Sequence, residues 1–135
     1  MTRTSTMLAV ALFATVVSAP VLSMAADTKP SLYERLGGTG PITAVVGKFV
    51  ANVAADKRIN GYFAKADIPN LKRQLVDQVC QASGGPCTYT GKDMKTTHKG
   101  MKITTAAFNA LVEDLVAALD TFNVPEQEKG ELLSV

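Results

Sequence analysis

The chain has 135 residues, of which 47% are hydrophobic and 19% are charged. That length supports one modest hydrophobic core and leaves no room for a second domain of ordinary size. The formal net charge is only +2, and no run of Lys or Arg is dense enough to follow a phosphate backbone, which argues against a nucleic-acid partner.

The N-terminal segment differs in composition from the rest of the chain. A basic residue near the start precedes an apolar run over 7–17, and small residues lead up to Ala25 and Ala26. This is the layout of a secretory signal peptide, with a retained membrane anchor as the alternative. We predict a signal peptide over 1–25, cleavage near Ala25 or Ala26, and a globular domain over 26–135. The mature protein is then periplasmic or secreted, with no stable membrane insertion.

Beyond this segment the apolar pattern predicts an all-α fold, because no alternation of polar and β-branched residues is long enough for a strand. Start signals predict helices beginning near Ser31, Pro41, Asp67, Asp93, Thr104 or Thr105, and Pro125. The most regular helix follows Thr104. Its apolar stripe is expected to lie wholly in the core and consists of Phe108, Leu111, Val112, Leu115, Val116 and Leu119.

The two cysteines, Cys80 and Cys87, flank a turn-forming stretch over 83–86. Such a turn can bring two sulfur atoms together at a helix end, and an oxidising compartment favours the disulfide. The alternative is two unpaired small core residues. The chain has no Cys-x-x-Cys-His sequence for covalent haem attachment.

His98 is the only histidine, and it lies in the last turn of the short helix predicted after Asp93. One histidine cannot build a catalytic triad or a multi-histidine metal site. One neutral imidazole is enough, however, to supply the protein's axial bond to a haem iron. From its position alone, a surface role near a helix end is the alternative.

A string of motifs over nearly the whole mature chain resembles a group I truncated haemoglobin; it comprises Leu36-Gly37-Gly38, Phe49, Phe63, Gly84-Gly85-Pro86, Tyr89-Thr90-Gly91, Met94-Lys95 and His98. The resemblance implies a two-over-two helical sandwich around non-covalent haem b. It also implies that His98 is the proximal iron ligand and that Phe63 stacks against the porphyrin. The helix that carries Leu71 would cover the distal face.

The distal side departs from the pattern of this family. Val50 stands where a tyrosine is common, and Leu71 and Leu75 stand where glutamine or histidine is frequent. Because distal donors control how oxygen is held, high oxygen affinity is not expected. Helix geometry offers one substitute, since Gln78 points within about 20° of Leu71 and Gln74 lies about 60° to the same side. Gln78 either donates to a ligand or turns toward solvent.

Two further residues complete the predicted cofactor site. Val79 belongs to the apolar side of the distal helix, together with Leu71 and Leu75. Lys95 is a candidate partner for a haem propionate, although a solvated surface charge is the alternative.

The function predicted from these residues is reversible binding of small diatomic ligands, namely oxygen, nitric oxide or carbon monoxide, by a haem protein. The first alternative is a nitric oxide dioxygenase or another haem redox enzyme. That enzyme would need an electron donor, and export puts cytoplasmic reductases out of reach. The second is a helical interaction module without haem, stapled by Cys80 and Cys87.

Overall fold

The computed structural model describes residues 29–135 and the single residue Val16. Apart from Val16, the predicted signal peptide therefore lies outside the described residues. Within them, all regular secondary structure is helical, and no helix is long and apolar enough to cross a membrane. The helices are α1 (Leu32–Arg35), α2 (Thr39–Ala55), a 3₁₀ helix (Asn60–Phe63), α3 (Ile68–Ala82), α4 (Met94–His98), α5 (Thr105–Thr121) and α6 (Glu126–Leu133).

Side-chain caps fix most of the helix starts. In each of four cases the side-chain oxygen of the capping residue accepts a hydrogen bond from the backbone N–H three residues later. Ser31 and Asp67 are predicted caps, Thr104 is one of the two alternatives predicted for α5, and Asp93 caps the helix that is predicted to start there. At Ser31 the capping box is complete, because the Glu34 carboxylate accepts from the Ser31 N–H at 2.9 Å. Helix α2 has no such cap and begins at Thr39, two residues before Pro41.

Helix α2 is the centre of the fold. It packs against α3 and against α5, while α6 packs against α1. Five apolar residues of α2 are at least 90% buried, at three- and four-residue steps along the helix: Ile42, Val45, Val46, Val50 and Val53. The all-α prediction is confirmed, and α2 and α3 together frame the region where most predicted site residues lie.

The expectation that the α5 stripe lies wholly in the core is wrong, because only Leu119 is buried while Leu111, Val112, Leu115 and Val116 are partly buried. Phe108 departs furthest, since it is 57% exposed. Leu119, three turns further along the same side of α5, is 1% exposed. The difference arises because Leu32 of α1 and Leu132 of α6 cover the C-terminal end of α5. No helix of the described chain covers its first turn in the same way. The exposed end of the stripe therefore lies in the first turn of α5.

Two aspartates meet where α2 packs against α5. Asp56 ends α2 and accepts hydrogen bonds from the Arg58 guanidinium, which lower the pKa of Asp56 to about 2. Asp114 lies on α5, where burial and the neighbouring Asp56 carboxylate raise the pKa of its carboxyl group above its ordinary value. The Asp114 Oδ2 atom is buried and receives no hydrogen bond. An unpaired buried acceptor of this kind costs free energy of folding.

The variant Asp114→Asn is expected to raise the free energy of unfolding by about 1 kcal/mol near neutral pH, because the amide removes a poorly paired charge and donates to Asp56. A carboxyl group with a raised folded-state pKa favours folding while protonated, and that contribution is lost as the pH rises through the folded pKa. The gain from asparagine is therefore largest near neutral pH and shrinks toward about pH 4. Urea unfolding at both pH values measures it, and an equal gain at both would contradict this account.

Candidate functional site

His98 is the last residue of α4, and its side chain is exposed. Its Nδ1 atom lies 2.6 Å from the carbonyl oxygen of Met94, one helical turn earlier. Because a carbonyl oxygen can only accept, Nδ1 carries the proton and donates, which leaves the lone pair of Nε2 free. A metal-binding histidine usually has its second ring nitrogen fixed in this way.

The donor set restricts which metal His98 can serve. Among the described residues, no group of three or more His, Cys, Asp or Glu side chains is placed to hold a metal ion. His98 is therefore suited to a metal that brings most of its own ligands, as the iron of haem does with its four porphyrin nitrogens.

Apolar side chains are exposed on α4 and on the chain that follows it into α5. Met94 is 39% exposed, Ile103 is 43% exposed and Phe108 is 57% exposed. Phe63, at the end of the 3₁₀ helix, is partly buried and packs against a buried cluster that includes Ala110 of α5. Exposed apolar side chains on the same stretch of chain as His98 suit contact with a flat, largely apolar group.

A small cavity of about 30 Å³ lies between α2, the 3₁₀ helix and α3. Every residue that lines it is apolar, and the volume suits a molecule little larger than water. This cavity brings together five of the predicted site residues, which are Phe49, Val50, Phe63, Leu71 and Leu75. The structure thus unites side chains from three helical elements, without a hydrogen-bond donor among them.

A larger cavity of about 300 Å³ lies beyond it and extends to α1, α5 and α6. Phe49 and Leu75 line both cavities and therefore separate one from the other. Two more predicted residues, Gln78 and Val79, line only the larger cavity. Gln78 is the one polar side chain among the described residues of this lining.

Three residues considered for the site line neither cavity, namely His98, Gln74 and Lys95. Gln74 faces the turn at Gly91, where its Oε1 atom is buried without a hydrogen-bond partner. Lys95 is exposed on α4 and forms no ion pair within the described chain. The acceptor for His98 was not foreseen from the sequence, because any residue at the Met94 position supplies the same backbone carbonyl.

Comparisons with known proteins identify the family of this chain. Residues 31–135 match the family model described as Bacterial-like globin. The chain is 36% identical to the group 1 truncated hemoglobin of Tetrahymena thermophila, over 79% of this chain and 88% of that protein. It is also 36% identical to the group 1 truncated hemoglobin of Mycolicibacterium paratuberculosis, over 76% of each chain.

Solved structures show the same relationship. The truncated hemoglobin of Tetrahymena pyriformis in its Fe(III) form superposes with a TM-score of 0.75 at 33% identity, covering 78% of this chain and 90% of that one. The 2/2 hemoglobin of Synechococcus sp. PCC 7002 superposes with a TM-score of 0.74 at 32% identity, covering 78% and 89%. These matches confirm the two-over-two helical fold. The chain belongs to the bacterial-like globin family and is a truncated haemoglobin, a class of protein that binds diatomic gases through haem.

Proposed function

We propose that this protein holds non-covalent haem b on His98 and reversibly binds oxygen, nitric oxide or carbon monoxide. The observation that carries the proposal is the hydrogen bond from His98 Nδ1 to the Met94 carbonyl, which orients Nε2 as a ligand. The exposed side chains of Ile103 and Phe108 and the partly buried Phe63 supply apolar surface of the kind that a macrocycle can contact. When bound, the haem supplies the iron to which a diatomic ligand coordinates.

The disulfide between the two cysteines supports non-covalent attachment of the haem. Cys80 and Cys87 are joined to each other in a disulfide, and no free cysteine occurs among residues 29–135. Neither thiol is therefore available to bond a vinyl group of the haem. The disulfide also supports the proposal that the protein is exported to the periplasm or secreted, because disulfides persist in oxidising compartments.

The apolar distal side distinguishes this chain from a relative. In solved variants of the Tetrahymena pyriformis protein, a tyrosine and two glutamines were substituted, and the glutamines follow the tyrosine by 21 and 25 positions. Val50, Leu71 and Leu75 have the same spacing here, and all three line the small cavity. Since distal donors strengthen oxygen binding, we propose that oxygen is held more weakly than in proteins that carry such donors.

Gln78 is the remaining candidate for a polar contact with the ligand. It is partly buried and lines the larger cavity beside Leu75, which borders both cavities. An amide in apolar surroundings gains free energy by donating to any polar atom within reach. We therefore propose that Gln78, rather than Gln74, contacts the bound ligand.

Replacing Gln78 with leucine is expected to speed oxygen dissociation by roughly 2- to 10-fold, the equivalent of one net hydrogen bond. Stopped-flow displacement of oxygen by carbon monoxide measures the rate. The variant Gln74→Leu removes the same amide outside both cavities and is expected to leave the rate unchanged. Equal rates for wild type and Gln78→Leu would remove Gln78 from the site.

The proposed function itself is tested by titrating the haem-free protein with haemin. We expect a Soret band that grows to one equivalent, and a shift of that band when carbon monoxide is added to the reduced protein. A titration without a protein-bound Soret band would overturn the proposal. Sustained conversion of nitric oxide to nitrate over many turnovers, with a reductant present, would instead favour the dioxygenase.

A further inference from the structure

Helix α4 carries His98, but it makes few packing contacts with the rest of the described chain. All five of its residues are exposed, and its main hydrogen bonds are within the helix or to its cap, Asp93. A short helix without a buried face has no packing energy of its own to fix its position. Where His98 lies relative to α3 is therefore decided by the chain that leads into α4.

That chain is the segment 87–93, called here the return segment because it runs back along α3. At its start, the disulfide joins Cys87 to Cys80, which is fully buried near the end of α3. Two residues later, the Tyr89 N–H donates to Gln81 Oε1 at 2.6 Å. The beginning of the return segment is thus tied to α3 by one covalent bond and one hydrogen bond.

The return segment stays against α3 as it approaches α4. A Cβ atom added at Gly91 would lie 2.7 Å from Gln74 Oε1 and 2.4 Å from Tyr89 Oη, so only glycine fits there without movement. Gln74 and Gln81 are seven residues apart and share one face of α3. The Tyr89 hydroxyl also donates to the Lys92 carbonyl at 2.6 Å, which braces the last turn before α4.

We propose that Cys80 and Cys87 are positioning residues for His98. The disulfide holds the return segment on the face of α3 formed by Gln74 and Gln81, and thereby sets where α4 presents His98 Nε2. Closing this connection covalently removes conformations that the segment would otherwise have to give up when haem binds. This inference rests on the proposed function of His98, and it concerns a covalent link that lies outside both cavities.

The first arm of the test uses haem-free protein, so that it does not depend on haem binding. Hydrogen exchange is compared with and without a phosphine reductant that opens the disulfide. We expect the amides of α4 and the return segment to exchange several-fold faster after reduction, while those of α5 keep their rates. Equal acceleration in α5, or no acceleration in α4, would overturn the proposal.

The second arm uses haem-loaded protein and the double variant Cys80→Ala/Cys87→Ala. Haemin transfer to an excess of apomyoglobin is expected to be on the order of tenfold faster than from wild type, as for loss of other supports of a metal ligand. The iron–histidine stretching band of the reduced protein, measured by resonance Raman, is expected to shift or broaden. A merely stabilising disulfide would leave that band unchanged, and an unchanged band would count against positioning.

Because Cys80 is fully buried, the double variant can lose stability for reasons unrelated to α4. The variant Tyr89→Phe avoids this problem, since it removes only the hydroxyl that donates to the Lys92 carbonyl. We expect it to shift the haemin transfer rate and the stretching band in the same direction by a smaller amount. If neither the wild-type protein nor the variants form a Soret band, the proposed function fails. The hydrogen-exchange experiment on the haem-free protein still decides whether the disulfide positions α4.

Discussion

The variant His98→Ala is expected to lose stable haem binding, with the affinity for haemin falling by more than about 100-fold. Loss of a residue that merely supports a metal ligand typically costs 10- to 100-fold, and loss of the ligand itself costs more. The fold should not suffer, because the His98 side chain is exposed and makes a single hydrogen bond within its own helix. Haemin titration followed at the Soret band measures the affinity, and far-ultraviolet circular dichroism checks the helix content.

Two controls separate ligation from a general effect on α4. Lys95→Ala changes another exposed side chain of the same helix and is expected to retain haemin affinity within about threefold, since a surface charge contributes little. Added imidazole is expected to restore a Soret band to His98→Ala, because it supplies the missing nitrogen ligand. If His98→Ala binds haemin as wild type does, or if Lys95→Ala is equally impaired, His98 is not the ligand.

The features that could be predicted from sequence are those decided by neighbouring residues. The cap at Asp93 and the turn between Cys80 and Cys87 depend on side chains within a few positions of each other, and the structure contains both. Pro41 lies in the first turn of α2 as predicted, but the exact start at Thr39 is not marked in the sequence, because Gly38, with a φ of 84°, provides no side-chain cap. Local chemistry therefore predicted the helices well and their boundaries less well.

Features decided by distant parts of the chain were harder to predict. The apolar stripe of α5 predicted burial for Phe108, but burial depends on α1 and α6, which cover only the far end of the stripe. Helix geometry placed Gln74 and Gln78 on the same side of α3 without distinguishing them. They differ because the return segment occupies the surface beside Gln74, whereas Gln78 lines a cavity. Helix geometry alone cannot relate Gln74 to Gly91, because Gly91 lies beyond the end of α3.

The variant Leu75→Gln is expected to slow oxygen dissociation by about 10- to 100-fold, because a hydrogen bond to a group that carries charge is worth about 1.5–3 kcal/mol. Leu75 is the best position for this change, since it lines both cavities while Val50 is 4% exposed and has no room for a larger ring. Glutamine is close to leucine in size, so the shape of the cavities should persist. Laser photolysis or stopped-flow kinetics of the oxygen complex measures the rate.

The same substitution is also expected to lower the free energy of unfolding. The effects on oxygen dissociation and on stability together show whether the new amide lies beside the bound ligand. On the side of the small cavity the new amide faces only apolar residues in the absence of a ligand, and a buried amide left unpaired there lowers the free energy of unfolding by about 1–3 kcal/mol. Leu75→Met matches the size without the donor and is expected to leave oxygen dissociation within about twofold of wild type. If the glutamine and methionine variants release oxygen at the same rate, Leu75 does not adjoin the ligand, and the apolar lining of the small cavity does not explain the weak oxygen binding proposed for this protein.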